Sequence, residues 1–138
     1  MVDWNKSVIE EFRANKGRVA AFAHQPLLLI THTGAKTGKK RTNPVAYFRD
    51  GDRYVIVASK GGAPTNPDWY YNLLANPHVT VEVGTEQLKV TAKKAAPSER
   101  NRLWAMVKEK NPGFAEYEKK TSRIIPLVIL TPSPSQHW

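Results

Sequence analysis

Two short polar breaks between apolar, β-rich runs constrain the fold of this chain most. Asp50-Gly51-Asp52 separates Val45-Ala46-Tyr47-Phe48 from Tyr54-Val55-Ile56-Val57, and Gly84-Thr85-Glu86 separates His78–Val83 from a run through Leu88, Val90 and Ala92. A glycine in so short a break favours the tight turn of a β-hairpin. In the second pair, Val79, Val81 and Val83 alternate with His78, Thr80 and Glu82, and Leu88, Val90 and Ala92 continue the alternation. Each of these strands therefore offers one apolar face. Leu27-Leu28-Leu29-Ile30 after Pro26 reads as a buried strand, and Ile124–Leu130 as a last one in which Pro126 suggests an edge or a bulge.

Helical signals fall between these strands. Asp3–Asn15 places Trp4, Val8 and Phe12 on one face, with Asp3 as cap and Gly17 as stop. Asn66 as N-cap and Pro67 at the first helical position start a helix that runs to about Ala75, where Asn76-Pro77 ends it. A third runs from Pro97 to about Lys110 with Leu103, Met106 and Val107 as its apolar side, and Phe114–Lys120 forms a short fourth. Pro132–Trp138 has the composition of a frayed end. About six strands, mostly in hairpins, form an antiparallel sheet, and closing it into a small barrel removes its edges. The expected fold is mainly β with inserted helices, a single domain over residues 1–138.

The chain has no cysteine, which excludes disulfides, thiolate metal sites and cysteine nucleophiles. His24, His32, His78 and His137 lack metal-ligand spacing, so no metal is expected. No apolar run is long enough to span a bilayer, and Met1-Val2-Asp3-Trp4-Asn5 does not start a signal peptide. A cytoplasmic protein is expected. Its first helix packs on the domain or, alternatively, touches the inner face of the membrane. Oligomeric state leaves no mark on the sequence.

The formal charge of +9 points to a polyanionic partner. Its cations cluster in Thr31-His32-Thr33-Gly34-Ala35-Lys36-Thr37-Gly38-Lys39-Lys40-Arg41, a loop that can aim amides, hydroxyls and cations at one anion. A second loop, Ser59–Tyr70, runs into a helix start, where unpaired amides also favour anions. The first is not a phosphate loop of the nucleotide triphosphatases, because Gly38-Lys39-Lys40 lacks the hydroxyl residue and a strand follows. No GxGxxG pattern supports a Rossmann fold. Trp69, Tyr70 and Tyr71 share a helix on which at most two can face one way, so one or two of them are packing residues.

Thr33-Gly34-Ala35-Lys36-Thr37-Gly38, Arg41-Thr42-Asn43-Pro44, Ala58-Ser59-Lys60-Gly61-Gly62, Asn66-Pro67-Asp68-Trp69-Tyr70-Tyr71-Asn72-Leu73, Asn76-Pro77 and Ile125-Pro126-Leu127-Val128 occur in one order. In this the chain resembles the deazaflavin-dependent nitroreductase family of actinobacteria over roughly residues 25–131. The resemblance implies a split β-barrel related to flavin-binding barrels. It also implies coenzyme F420, a deazaflavin with a phosphate and an oligoglutamate tail, and hydride transfer from its reduced form to a quinone or nitroaromatic electrophile. It puts Lys36, Thr37, Arg41 and Asn43 near the phosphate and tail, and counts Ala35, Thr42, Pro44, Val45 and Ala46 among the cofactor-binding residues. Val57, Ala58, Ser59 and Lys60 at a strand end, and Asp68, Trp69, Tyr70, Tyr71 and Asn72 at a helix start, would hold the rest.

Ser59 and Tyr117 are the implied catalytic donors. Ala46, Asn111 and Phe114, with Tyr117, line the implied substrate side. Nitroimidazole-reducing relatives carry tyrosines at the first three, so a quinone-like acceptor is the expected substrate. Two other readings fit the composition: a protein that binds or stores F420 without turnover, and a basic barrel that binds nucleic acid. Against the second, aromatics do not alternate with cations along exposed strands, and Tyr47, Phe48 and Tyr54 are expected to be half buried. No nucleic-acid partner is expected.

Overall fold

A computed structural model describes residues 4–22 and 25–133, apart from the side chain of Trp4 and the surroundings of Gly61. Asp3, His24 and His137 lie outside the described residues, so the helix cap expected at Asp3 does too. In chain order the elements are α1 (Trp4–Ala14), β1 (Leu27–Thr33), β2 (Lys40–Asp50), β3 (Arg53–Val57), α2 (Asp68–Ala75), β4 (His78–Val83), β5 (Glu86–Lys94), α3 (Pro97–Lys110), α4 (Gly113–Lys119) and β6 (Leu127–Pro132). The strands close into an antiparallel barrel in the order β1-β2-β3-β6-β5-β4.

The burial of each strand explains its sequence pattern. Leu28, Ile30, Tyr54, Ile56, Val79, Val81, Val90, Ala92, Val128 and Leu130 share the interior, and α2 packs Trp69, Tyr70 and Leu73 against them. The alternate residues of β1, Leu27 and Leu29, are covered by Val8 and Phe12 of α1. Those of β3 and β6, Val55, Val57, Leu127 and Ile129, lie beneath Leu103, Trp104 and Val107 of α3 and Phe114 of α4. Strands buried on both faces carry unbroken apolar runs. β4 and the paired part of β5 keep a wetter outer face and alternate. Burying each of these larger side chains contributes about 1.5–3 kcal/mol. The apolar side of α1 thus packs on the barrel.

Several expectations need correction. The cationic segment is not all loop: Thr31↔Thr42, His32↔Arg41 and Thr33↔Lys40 pair, leaving only Gly34–Lys39 between β1 and β2. Threonine suits such a ladder, and the Thr31 and Thr42 hydroxyls hydrogen-bond across it at 2.9 Å. β2 also runs through Pro44, a residue that ordinarily bounds a strand. α2 starts at Asp68 rather than Pro67, with no side-chain cap. Asn66 is occupied elsewhere, accepting from Arg123 Nη1 at 2.6 Å and donating to the Tyr71 hydroxyl at 3.2 Å. Pro126 makes no edge, since it precedes β6 and its carbonyl accepts from Ala58 N at 3.0 Å. Pro132 pairs with Val90 and Ser133 N reaches Lys89 O, so these two residues belong to the sheet and not to a frayed end, and the rest of the expected tail lies outside the described residues. Phe48 and Tyr54 are fully buried, and only Tyr47 is intermediate.

Candidate active site

Three cavities adjoin along one side of the barrel and make a trough. The first, about 450 Å3, is bordered by Ala46 of β2, Val57 of β3, Ser59, Trp69, and Asn111, Phe114 and Tyr117 around α4. Pro44, Val45, Gln25 and Leu27 complete much of the rest. It shares Lys60, Pro67 and Trp69 with the second, about 960 Å3, which adds His32, Arg41, Thr42, Asn43 and Asp68, with Lys6, Glu10 and Arg13 of α1 as the facing wall. That one shares Arg41 and Asp68 with the third, about 580 Å3, bounded by Gly34–Thr37, Tyr71 and Asn72. The trough is apolar with hydroxyls at one end and cationic at the other.

Nearly all the residues expected to bind cofactor or substrate border this trough, and two do not. Ala58 and Tyr70 lie in the barrel interior. The helix supplies Asp68, Trp69, Asn72 and the half-exposed Tyr71 to the trough, while Tyr70 turns inward. Of the four clustered cations, Lys36 and Arg41 border cavities; Lys39 and Lys40 are exposed and border none of the three. The start of α2 already carries an acid, Asp68, in its first turn, which meets part of that end's preference for negative charge.

The segment between β3 and α2 is fixed from a distance. Arg123 Nε donates to Ala63 O (3.0 Å), Nη1 to Asn66 Oδ1, and Nη2 to Ala58 O (3.1 Å) and Ser59 O (2.9 Å). This fork, with its rigid plane, sets where Ser59 stands. Lys60 beside it has φ of 48°, a left-handed conformation that costs a non-glycine residue about 1 kcal/mol or more. Gly62, at φ of 87°, lets the segment close on α4: a Cβ there would lie 2.8 Å from Lys120 Cβ and 2.9 Å from Tyr117 O. Tyr117 in turn packs edge-on to Phe114, and Phe114 edge-on to Phe48.

Asn111 is held rather than offered. Its Nδ2 donates to Gln25 Oε1 at 2.8 Å and its Oδ1 accepts from Gly113 N at 3.1 Å. Gln25 Nε2 donates to Tyr47 O at 3.1 Å. Asn111 therefore acts as wall, and Ser59 and Tyr117 bring hydroxyls to this cavity, with Lys60 also on its border.

Sequence reasoning missed His32, Gln25, Arg123 and the α1 wall. His32 is 2 % exposed and continues the inward row Leu28, Ile30, so period-2 alternation alone could have placed it at the barrel mouth. Its Nε2 donates to Asn43 Oδ1 (2.6 Å), and its Nδ1 accepts from Asn72 Nδ2 (3.0 Å). Burial holds its pKa below the usual 6.5; the Asn43 bond opposes this, nearby Arg41 reinforces it, and Asp68 opposes it. No local signal marks Gln25 or Arg123, whose partners are remote in sequence.

An F420-type group fits these residues. The apolar end suits a flat ring, and the donor set of Lys36, Thr37 and Arg41 suits a phosphate and carboxylates. The model of the F420H(2)-dependent quinone reductase family matches residues 4–132. The F420H(2)-dependent quinone reductase Rv1261c of Mycobacterium tuberculosis is 46 % identical over 128 residues, 87 % of this chain and 84 % of that protein. A solved F420-H2 dependent reductase, FDR-A, shares 44 % identity at a TM-score of 0.70, covering 76 % of this chain and 93 % of its own. Another solved chain, described as a domain-swapped dimer, is 38 % identical at a TM-score of 0.72, covering 91 % of this chain and 95 % of its own. The chain belongs to the F420H(2)-dependent quinone reductase family, an oxidoreductase family dependent on reduced coenzyme F420.

Proposed function

We propose that the trough holds F420 along its length and presents a quinone-like acceptor to it in the apolar cavity. The carrying observation is the order of the three connected cavities, from apolar and hydroxyl-lined to cationic. Lys36, Thr37 and Arg41 bind the phosphate and oligoglutamate tail. Asn43, Lys60, Asp68 and Trp69 border the middle. Bound F420 supplies the hydride chemistry, and the protein supplies binding and orientation. Val57, Ala46 and Phe114 exclude water and hold a flat acceptor against the ring, within the roughly 3–3.5 Å that reaction requires. Ser59 Oγ–H and Tyr117 Oη–H donate hydrogen bonds to the acceptor's oxygens as they gain charge.

The test is a fluorescence titration with oxidised F420 and with FMN at one salt concentration, followed by turnover of a menadione-like quinone with F420H2. Tighter binding of F420 than of FMN, with turnover, is the expected result. Comparable dissociation constants count against the assignment, and tight F420 binding without reduction of any acceptor points to a storage role.

A further inference from the structure

We propose that His32 is a positioning residue for the cationic end of the trough and that it works only as the neutral imidazole protonated on Nε2. The inference rests on the trough being the F420 site. His32 accepts from Asn72 Nδ2 on one side and donates to Asn43 Oδ1 on the other. Asn72 Oδ1 in turn accepts from Ala35 N at 2.8 Å. Ala35 immediately precedes Lys36 and Thr37, so one relay ties the hairpin tip to α2, β1 and β2. The tip, Arg41 of β2 and the start of α2 all border the third cavity.

The relay has a fixed direction. A proton on Nδ1 would set two donors face to face, imidazolium and Asn72 amide. Turning the Asn72 amide over would relieve that contact and place its NH2 against the Ala35 N–H instead. Either way one bond is lost, at the buried His32–Asn72 contact or at the part-buried link from Asn72 to Ala35, which is costly. The tip that carries Lys36 then loses its tether to the helix.

Charged groups reach His32 from several elements. Arg41 pairs opposite it in β2 and disfavours its charge, while Asp68 of α2 favours it. Lys60, and Lys6, Glu10 and Arg13 of α1, border the same cavity, with Arg13 committed to Glu82 of β4 at 2.8 Å. Burial outweighs these, so the imidazole stays neutral at pH 7 and charges only in more acidic solution.

The experiment measures F420 binding by fluorescence between pH 8 and about pH 5 for the unmodified protein, His32→Asn and His32→Leu, with thermal melts of each. Asn places an amide oxygen close to the Nδ1 position and takes up no proton in this range. The unmodified protein is expected to lose affinity about tenfold on acidification. His32→Asn should bind within about threefold of it at pH 8 and lack the His32-dependent part of the acid loss. His32→Leu should be about tenfold weaker even at pH 8. Any titration of the cofactor is common to all three and cancels in the comparison. An acid profile unchanged in a folded His32→Asn, or full affinity in His32→Leu, would overturn the role of His32 alone. Failure of the unmodified protein to bind F420 at pH 8 would overturn the reading of the trough and this proposal with it.

Discussion

Lys36 sits in the tip between β1 and β2 and Arg41 in β2 itself, yet both border the third cavity. Both are exposed, so neither supports the core. Lys36→Ala and Arg41→Ala should each weaken F420 binding by about 1.5–3 kcal/mol, roughly ten- to a hundredfold, without shifting the melt. The loss should shrink as salt rises, because screening weakens charge-assisted contacts. Titrations at two ionic strengths check this, and unchanged affinity in both variants removes the tip from the site. Asp50 plays the contrasting, structural role. Hydrogen bonds from Arg102 and Arg53 hold its carboxyl down to about 2. A carboxyl with a depressed folded pKa stabilises the fold above its unfolded value near 3.8, and that stability goes as pH falls toward 2. Asp50→Asn should therefore cost on the order of 1 kcal/mol at pH 7, after allowing for solvent screening. The difference from the unmodified protein should vanish between pH 5 and pH 2 in melts followed by circular dichroism. At this scale the sequence was most legible where a residue type has few uses. Lys36 among glycines and threonines and Ser59 at a strand end are both expected at a site, and both border the trough. His32 was passed over because a histidine in a polar stretch looks solvated until the strand's alternation is extended through it. Tyr70 and Ala58 go the other way: their place in the motifs groups them with residues of the trough, whereas both lie in the barrel interior.

Among the elements, β4 is legible to the residue and β5 through Leu88, Val90 and Ala92, since a face open to water forces polar and apolar positions to alternate, although Glu86, expected in the turn, already belongs to β5. β1 was read short at its far end for the opposite reason. Beyond the apolar Leu27–Ile30, Thr31-His32-Thr33 is polar because the strand there leaves the core for the site. The cap of α2 was misplaced because Asn66 serves Arg123, a partner supplied by the distant segment before β6. The union of that segment, the Ser59–Asn66 stretch and α4 makes Gly62 the tightest joint near the hydroxyls. Gly62→Ala adds a Cβ into the space of Lys120 and the Tyr117 carbonyl and strains a left-handed φ. It should cost about 1–3 kcal/mol of stability. It should also raise KM for the acceptor severalfold with little change in F420 affinity, because α4 borders the apolar cavity and not the cationic one. Paired steady-state kinetics and F420 titrations check the split. Equal losses in both would mean that the joint supports the whole trough.

The whole molecule reads as a barrel whose one flank grades from grease to charge, with α1 laid across the middle. That gradient makes a prediction about substrates. Ala46 and Phe114 carry no hydroxyl, and both ends of the Asn111 amide are engaged by Gln25 and Gly113. Such walls suffice for a flat quinone but give little hold on a bicyclic nitroimidazole, whose orientation must be fixed. With F420H2 supplied, a menadione-like quinone should be reduced at least about tenfold faster than the nitroimidazole, followed through the cofactor's absorbance. A preference for the nitroimidazole would overturn this view of the walls and leave the cofactor site untouched. The barrel's wiring also has a consequence in time. β6 stands between β3 and β5, each of which was paired within its own hairpin long before. Such distant pairings form slowly, and an unfilled gap leaves two sticky strand edges. On the ribosome the cationic end of the trough, bordered by Gly34–Thr37, Arg41 and α2, emerges well before α4 and the last stave. Arg123, which anchors Ser59, arrives just ahead of it. Until β6 pairs, the edges of β3 and β5 stay open, and Ser59 gains its bond from Arg123 only as that segment joins the barrel.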